Sequence, residues 1–237
     1  MPKTAMVLAA GLGTRMRPLT DRIPKPLVSL AGKPLIDHVL ARLAEAGVTN
    51  VVVNVHHMAD QIEEHLADRT VPHVQISDER GELLDTGGGV MRARAKLGNE
   101  SIFIHNSDSV WIEGTEPCLQ KMVEIWDPDI MDTLLLLAPV SNTLGYSGHG
   151  DFAMDERGVV RRPETGENVP FVFTGVSIAH PRLFQDSPDG KFSLNLLWDR
   201  AIAAHRVYGL QHEGVWMHVG TPEAVREAEE RLRCEHA

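Results

Sequence analysis

The chain has 237 residues, 43% of them hydrophobic and 24% charged, which allows a sizeable core and excludes a disordered or fibrous chain. Its formal net charge of −10 argues against nonspecific binding to nucleic acid or anionic membranes, so any anionic ligand must meet a local basic patch. Cys118 and Cys234 show no disulfide or zinc-finger spacing, no stretch nears the ~20 apolar residues of a membrane span, and the first apolar run is too short for a secretory signal; a reducing cytoplasm is the expected setting.

The first apolar run, Ala5–Ala10, predicts a buried strand that stops at Gly11. Gly11, Gly13 and Thr14 then form a loop whose backbone N–H groups are free to face phosphate oxygens. Arg15 and Arg17 place positive charge over this loop, and Lys25 stands in a stiff frame between Pro24 and Pro26. The dinucleotide fingerprint is excluded because Met16 stands where its third glycine falls, and no Walker A loop is present. The combination answers the need of a triphosphate whose pyrophosphate is being displaced.

Helical spacing over Pro34–Ala46 leads to a second buried strand, Val51–Val55, a short helix, Met58–Leu66, and a third strand, Val74–Ser77. The triple glycine Gly87–Gly89 reads as a loop opening a helix over Gly89–Lys96. A fourth strand, Ser101–His105, ends at Asn106-Ser107-Asp108. Further on, a helix is predicted over Glu116–Trp126, a strand over Thr133–Ala138, and a hairpin from Asp151–Met154 and Val159–Arg161. Strands Phe171–Ile178 and Val215–Val219 flank a helix over Asn195–His205, and Thr221 caps a last helix with Pro222 in its first turn. The alternation predicts one α/β domain over residues 1–237, and the segment from Val140 to Phe171 is the expected substrate-facing elaboration.

The string Ala9-Ala-Gly-Leu-Gly-Thr-Arg-Met-Arg-Pro-Leu-Thr20, with Pro24-Lys-Pro-Leu27, resembles the sugar-1-phosphate nucleotidyltransferases. Within them, Glu82-Leu-Leu-Asp-Thr-Gly-Gly-Gly89 is most similar to the N-acetylmuramate-1-phosphate uridylyltransferase group. The resemblance implies a three-layer α/β sandwich around a mixed, mostly parallel sheet, of the nucleotide-diphospho-sugar transferase type. It implies catalytic roles for Arg15, Lys25 and Asp108, and a nucleotide site built from Leu8, Ala10, Gly11, Gly13, Thr14, Arg15, Glu82, Thr86 and Gly87. The sugar is expected at Asn106, Gly150, Asp151, Thr174 and Gly175.

Asp108, leaving the carboxyl end of a strand, suits a Mg2+ ligand, although a turn residue after a strand is the commoner role of such an acid. The chain departs from the family at this point: Ser107 replaces the glycine of a Gly-Asp pair, and His218 stands where Trp-x-Asp-x-Gly-Thr carries its second acid. With Asp108 and His218 as the metal pair, Mn2+ or Co2+ becomes a better cofactor than Mg2+, whereas an ordinary buried histidine is the plainer reading. The family's Glu-Lys-Pro, whose lysine holds the sugar phosphate, has no clear counterpart; Arg161-Arg162-Pro163 offers a cationic substitute.

The expected partners are thus a nucleoside triphosphate, most simply UTP, and a sugar 1-phosphate such as N-acetylmuramate 1-phosphate, with neither nucleic acid nor membrane. Guanylyl transfer to mannose or heptose 1-phosphate, and a nucleotide-sugar-binding protein with impaired catalysis, stay open on sequence. No heptad or other self-association pattern fixes an oligomeric state.

Overall fold

Strands that are apolar on both faces need cover on both sides, and this chain supplies it. The computed structural model describes residues 1–235. In chain order the elements begin with β1 (Thr4–Leu8), the short pair β2 (Ser29–Leu30) and β3 (Lys33–Pro34), α1 (Leu35–Glu45), β4 (Asn50–Val55) and α2 (Ala59–Leu66). Next come β5 (His73–Asp78), α3 (Asp85–Leu97), β6 (Ile102–Asn106), β7 (Ser109–Ile112), α4 (Cys118–Ile125), β8 (Thr133–Pro139) and β9 (Thr143–Leu144). The chain closes with β10 (Ala153–Met154), β11 (Val160–Arg161), β12 (Phe171–Ala179), α5 (Leu194–Ala203), β13 (Val207–Gln211), β14 (Val215–His218) and α6 (Pro222–Glu235).

Seven strands form the central sheet in the order β13-β8-β12-β6-β1-β4-β5. Neighbours run parallel except at β12, which is antiparallel to both β6 and β8. Alternation along the strands sorts the core into two layers. Ala5, Val7, Val51, Val53 and Phe103 pack with residues of α1, α2 and α4, whereas Met6, Val52, Ile102 and Ile104 pack with α3 and α5. The expected three-layer α/β sandwich with a mixed, mostly parallel sheet is therefore present. Among the described residues, no helix is long and apolar enough to cross a membrane.

A second, three-stranded sheet, β7-β14-β9, lies beside the main one. Its Val110 and Met217 join Val225 and Ala228 of α6 in a separate apolar cluster that also holds Met16, next to the glycine loop. The loop is thus anchored from below by a buried side chain. Thr221 caps α6 as expected, its hydroxyl accepting from the Ala224 N–H at 3.2 Å. Five strands went unanticipated: β2, β3 and β9 have two residues each, too short for a periodic signal, β7 has four, and β13 carries Gly209, a residue that weakens a strand signal.

Two departures bear on the site. α3 begins at Asp85, so Gly87–Gly89 lie inside the helix and are buried, not in a loop before it. In β12 the register against β8 jumps between Phe173 and Ser177, so Thr174, Gly175 and Val176 bulge out of the ladder. Gly175 takes φ +90 there, a conformation that favours glycine.

Candidate active site

Parallel strands open a crevice beyond their carboxyl ends. Here β1 and β6 deliver Leu8 and Asn106 side by side in register, and the chain after β1 forms the floor of a cleft of about 490 Å3. Gly13 shapes that floor. It adopts φ +64, and a Cβ on it would lie 3.0 Å from Thr20 Cγ2 and 3.1 Å from Lys25 Cβ. Its carbonyl accepts from the Met16 N–H at 2.9 Å and the Thr20 hydroxyl at 2.8 Å. The glycine therefore lets the loop close onto the stem of Lys25. Leu8, Ala10, Gly11, Gly13, Thr14, Arg15, Lys25, Thr86, Asn106 and Asp108 all line this cleft.

Lys25 opens a 3-10 turn between its prolines, and its ammonium pairs with the Asp108 carboxylate. The lysine side chain is only 13% exposed, so the pair is shielded on its basic side. Burial alone raises the Asp108 carboxyl, but the Lys25 ammonium, with His218 behind it, holds it below the usual carboxylate range. His218 reaches the same place by strand pairing: β14 runs antiparallel to β7, placing His218 opposite Ser109. Its ring stands 5.5 Å from the Trp216 ring and closes over Gly220, where a Cβ would lie 2.7 Å from Nε2. Burial, and then Lys25 and Arg15, keep the imidazole below its ordinary range in spite of Asp108, so it is neutral at pH 7.

Two further clefts adjoin the first. One, about 580 Å3, shares Arg15, Asn106 and Asp108 with it and adds Tyr146, Asp151, Thr174, Gly175, Trp216 and His218. The other, about 240 Å3, shares Leu8, Thr86 and Asn106 with the first, and Asp151 and Gly175 with the second. Residues of the β12 bulge line both, Gly175 in each and Thr174 in the larger. Thr174 O, freed from the ladder, accepts from the Ser109 hydroxyl and from the Trp216 indole N–H at 3.1 Å, tying the second sheet to the first.

Several predicted residues sit elsewhere. Gly87 is not on a cleft wall; its N–H and that of Gly88 donate to Phe192 O at 2.9 and 3.1 Å. A Cβ on Gly87 would strike the Phe192 ring, and one on Gly89 would lie 2.9 Å from Glu79 Oε1. The glycines thus admit neighbouring protein groups against α3, and the close approach expected for a ligand is taken up by Phe192. Glu82 lies outside the cleft lining, whereas Leu83 and Asp85 belong to it. Gly150 takes φ +86, packs on Val169, and donates its N–H to the Tyr146 hydroxyl at 3.2 Å, a structural duty. Arg17, expected over the loop, pairs instead with Asp21 at 3.4 Å and lines none of the three clefts. Arg161 pairs with Glu167, while Arg162 enters the smallest cleft.

Other residues on the walls escaped sequence reasoning. Asn54 and Glu79 form a buried pair at the first cleft: Asn54 Oδ1 accepts from the Ala9 N–H at 2.7 Å and its amide donates to Glu79 at 2.8 Å. Burial raises the Glu79 carboxyl. The one available signal was an asparagine interrupting the valines of β4. Lys191, from the loop before α5, also reaches this cleft, with no local signal to mark it.

Among the described residues, the three side chains that gather closely enough to ligate an ion are Glu113, Cys118 and His212, a group that includes neither Asp108 nor His218. Arg42 already engages Glu113, and burial pushes the Cys118 thiol far above its ordinary range, so the group reads as core packing.

Known proteins resemble this chain in sequence and in fold. Residues 4–162 match the family model described as nucleotidyl transferase. An N-acetylmuramate alpha-1-phosphate uridylyltransferase of Caulobacter vibrioides is 50% identical over 98% of this chain and 97% of its own length. A Neisseria meningitidis protein of the same name is 36% identical over 95% of this chain and 96% of its own. In fold, the chain is similar to a UDP-glucose pyrophosphorylase solved with UDP-glucose, with a TM-score of 0.79 at 20% identity, covering 99% of this chain and 100% of that one. With a glycine loop, two flanking cations and an acid just past the end of β6 all in one crevice, and with a family match over most of its length, this chain belongs to the nucleotidyl transferase family.

Proposed function

We propose that this protein, as one unit spanning residues 1–237, transfers the uridylyl group of UTP to N-acetylmuramate 1-phosphate with release of pyrophosphate. The observation that carries the reading is the position of Asp108. It lines both the glycine-loop cleft and the larger neighbouring cleft, where two substrates have to meet for phosphate to attack phosphate. The near full-length likeness to the Caulobacter and Neisseria proteins supports the choice of base and sugar. A cytoplasmic place in peptidoglycan recycling follows from that choice, since UTP is the donor.

In this reading the Gly11–Thr14 backbone and Arg15 hold the triphosphate. An oxygen of the sugar 1-phosphate attacks the α-phosphorus, the bond to the β-phosphate oxygen breaks, and its electrons leave on pyrophosphate. Lys25 neutralises charge across the reacting phosphates. Asn106, Asp151, Thr174 and Gly175 hold the sugar. No covalent link to the protein forms, so positioning and electrostatics account for the catalysis.

The donor set fits a divalent ion that arrives with the triphosphate: the Asp108 carboxylate, with the neutral His218 imidazole available on the same cleft. Such an ion would screen the negative charge of the phosphates. Pyrophosphate release measured over a panel of nucleoside triphosphates and sugar 1-phosphates tests the proposal. Turnover with UTP and N-acetylmuramate 1-phosphate is the expected result; preference for GTP with mannose 1-phosphate, or no turnover with any pair, overturns it.

A further inference from the structure

Arg162 is the one cation lining the smallest cleft, and that cleft contains neither Asp108, Lys25 nor Arg15. A group bound there is consequently set apart from the reacting phosphates. The guanidinium is held in place on three sides. Its Nε–H donates to Asp199 at 2.8 Å, an Nη2–H donates to Asn195 at 2.8 Å, and its plane covers the Phe152 ring at 4.5 Å. These contacts leave the Nη1 hydrogens and the second Nη2 hydrogen as unspent donors on a fixed fork. Phe152 and Phe173 stand edge-on to Trp198 at 6.3 and 4.8 Å and give the cleft an apolar side. Asp151 supplies an acceptor on the same walls.

We infer that Arg162 is a specificity residue that reads a carboxylate carried by the sugar, with the aromatic side taking an adjacent methyl group. Resting on the function proposed above, this assigns the fork to the lactyl ether of N-acetylmuramate, the group that distinguishes it from N-acetylglucosamine. A phosphate has the same anionic oxygens, but the phosphate-handling residues are all on the other two clefts.

The test is calorimetry of the intact chain with UDP-N-acetylmuramate and UDP-N-acetylglucosamine, which bind through the same uridine half and differ in the lactyl group. The wild type is expected to prefer the first by a factor on the order of 100. Arg162→Ala is expected to bring the two affinities within about threefold, leaving that for UDP-N-acetylglucosamine nearly unchanged. Arg162→Lys, which keeps the charge and loses the fork, should retain about a tenfold preference. An equal loss for both ligands in Arg162→Ala would show that the residue serves the shared phosphates or the pocket shape, and a preserved preference would place carboxylate recognition elsewhere; either overturns the inference. A wild type without preference does so too. Failure of the substrate reading shows itself separately, as absence of turnover with N-acetylmuramate 1-phosphate in the wild type. Thermal melts of both variants confirm that the comparison is made on folded protein.

Discussion

The glycine-loop cleft and the small aromatic cleft are built by opposite means. The first draws its largest single share of lining from one contiguous stretch, Leu8–Met16, with Lys25 soon after. The second collects side chains from β1, β6, the β10–β11 region, β12 and α5, residues up to 190 positions apart (Leu8 to Trp198). Phosphates are alike in every nucleotide, so a fixed backbone cradle serves them all. Sugars differ in their substituents, and side chains on a scaffold can be exchanged without disturbing the sheet. The comparison predicts that changes at the first cleft stop the reaction, whereas changes at the second redirect it.

The largest expected effect is at Asp108, where the clefts meet. Asp108→Asn preserves size and removes charge, and turnover should fall by a factor on the order of 10³ or more. The Lys25 ammonium then loses its partner, so a melt should also report a cost of about 1–2 kcal/mol, reduced from the fully buried case because Asp108 is 25% exposed. Turnover close to wild type would remove Asp108 from the centre of the reaction. Lys25→Ala comes next, with a loss of kcat on the order of 10² and little change in the KM for the sugar phosphate; steady-state kinetics with each substrate varied separates the two constants.

Arg15→Ala should act on binding, weakening UTP by about tenfold as read by calorimetry, since the residue is exposed and its charge is partly screened. The smallest effect sharpens the chemistry of the junction. His218→Asp gives two carboxylates and should shift the ratio of Mn2+-supported to Mg2+-supported activity toward Mg2+ by about threefold to tenfold. An unchanged ratio would make His218 a packing residue between Trp216 and Gly220.

How far these clefts could be read from sequence follows the same division. The contiguous one was legible, because Gly11, Gly13, Arg15 and Lys25 announce it within a few residues and β1 has the unbroken apolar pattern of a buried parallel strand. Asp108 was legible as the acid that follows a buried strand, and it lies in the turn between β6 and β7. The dispersed cleft was only partly visible: Asp151, Thr174 and Gly175 came through resemblance, while Asn195 and Trp198 carry no local signal, since nothing in an amphipathic helix says which residue faces a ligand. The start of α3 was misplaced for an energetic reason. Each glycine in a helix costs roughly 1 kcal/mol relative to alanine, so three together read as a loop. Packing reverses that preference here, because only hydrogen at Gly87 leaves room for Phe192. Arg17 illustrates a limit of charge counting: of two arginines spaced by one residue, Arg15 lines the glycine-loop cleft and Arg17 turns to Asp21.

The junction of α3 with the loop before α5 has a thermodynamic meaning beyond packing. Gly87 and Gly88 donate to Phe192 O, and Leu194 donates back to the Thr86 hydroxyl at 2.9 Å, so the first turns of two helices are laced into one seam. Thr86 faces both the glycine-loop cleft and the aromatic cleft, and Leu194 the latter. A ligand that tightens this seam from one side alters the wall met by the ligand on the other side. Linkage then makes the traffic symmetrical: whatever factor nucleotide adds to the affinity for sugar phosphate, sugar phosphate must return to nucleotide.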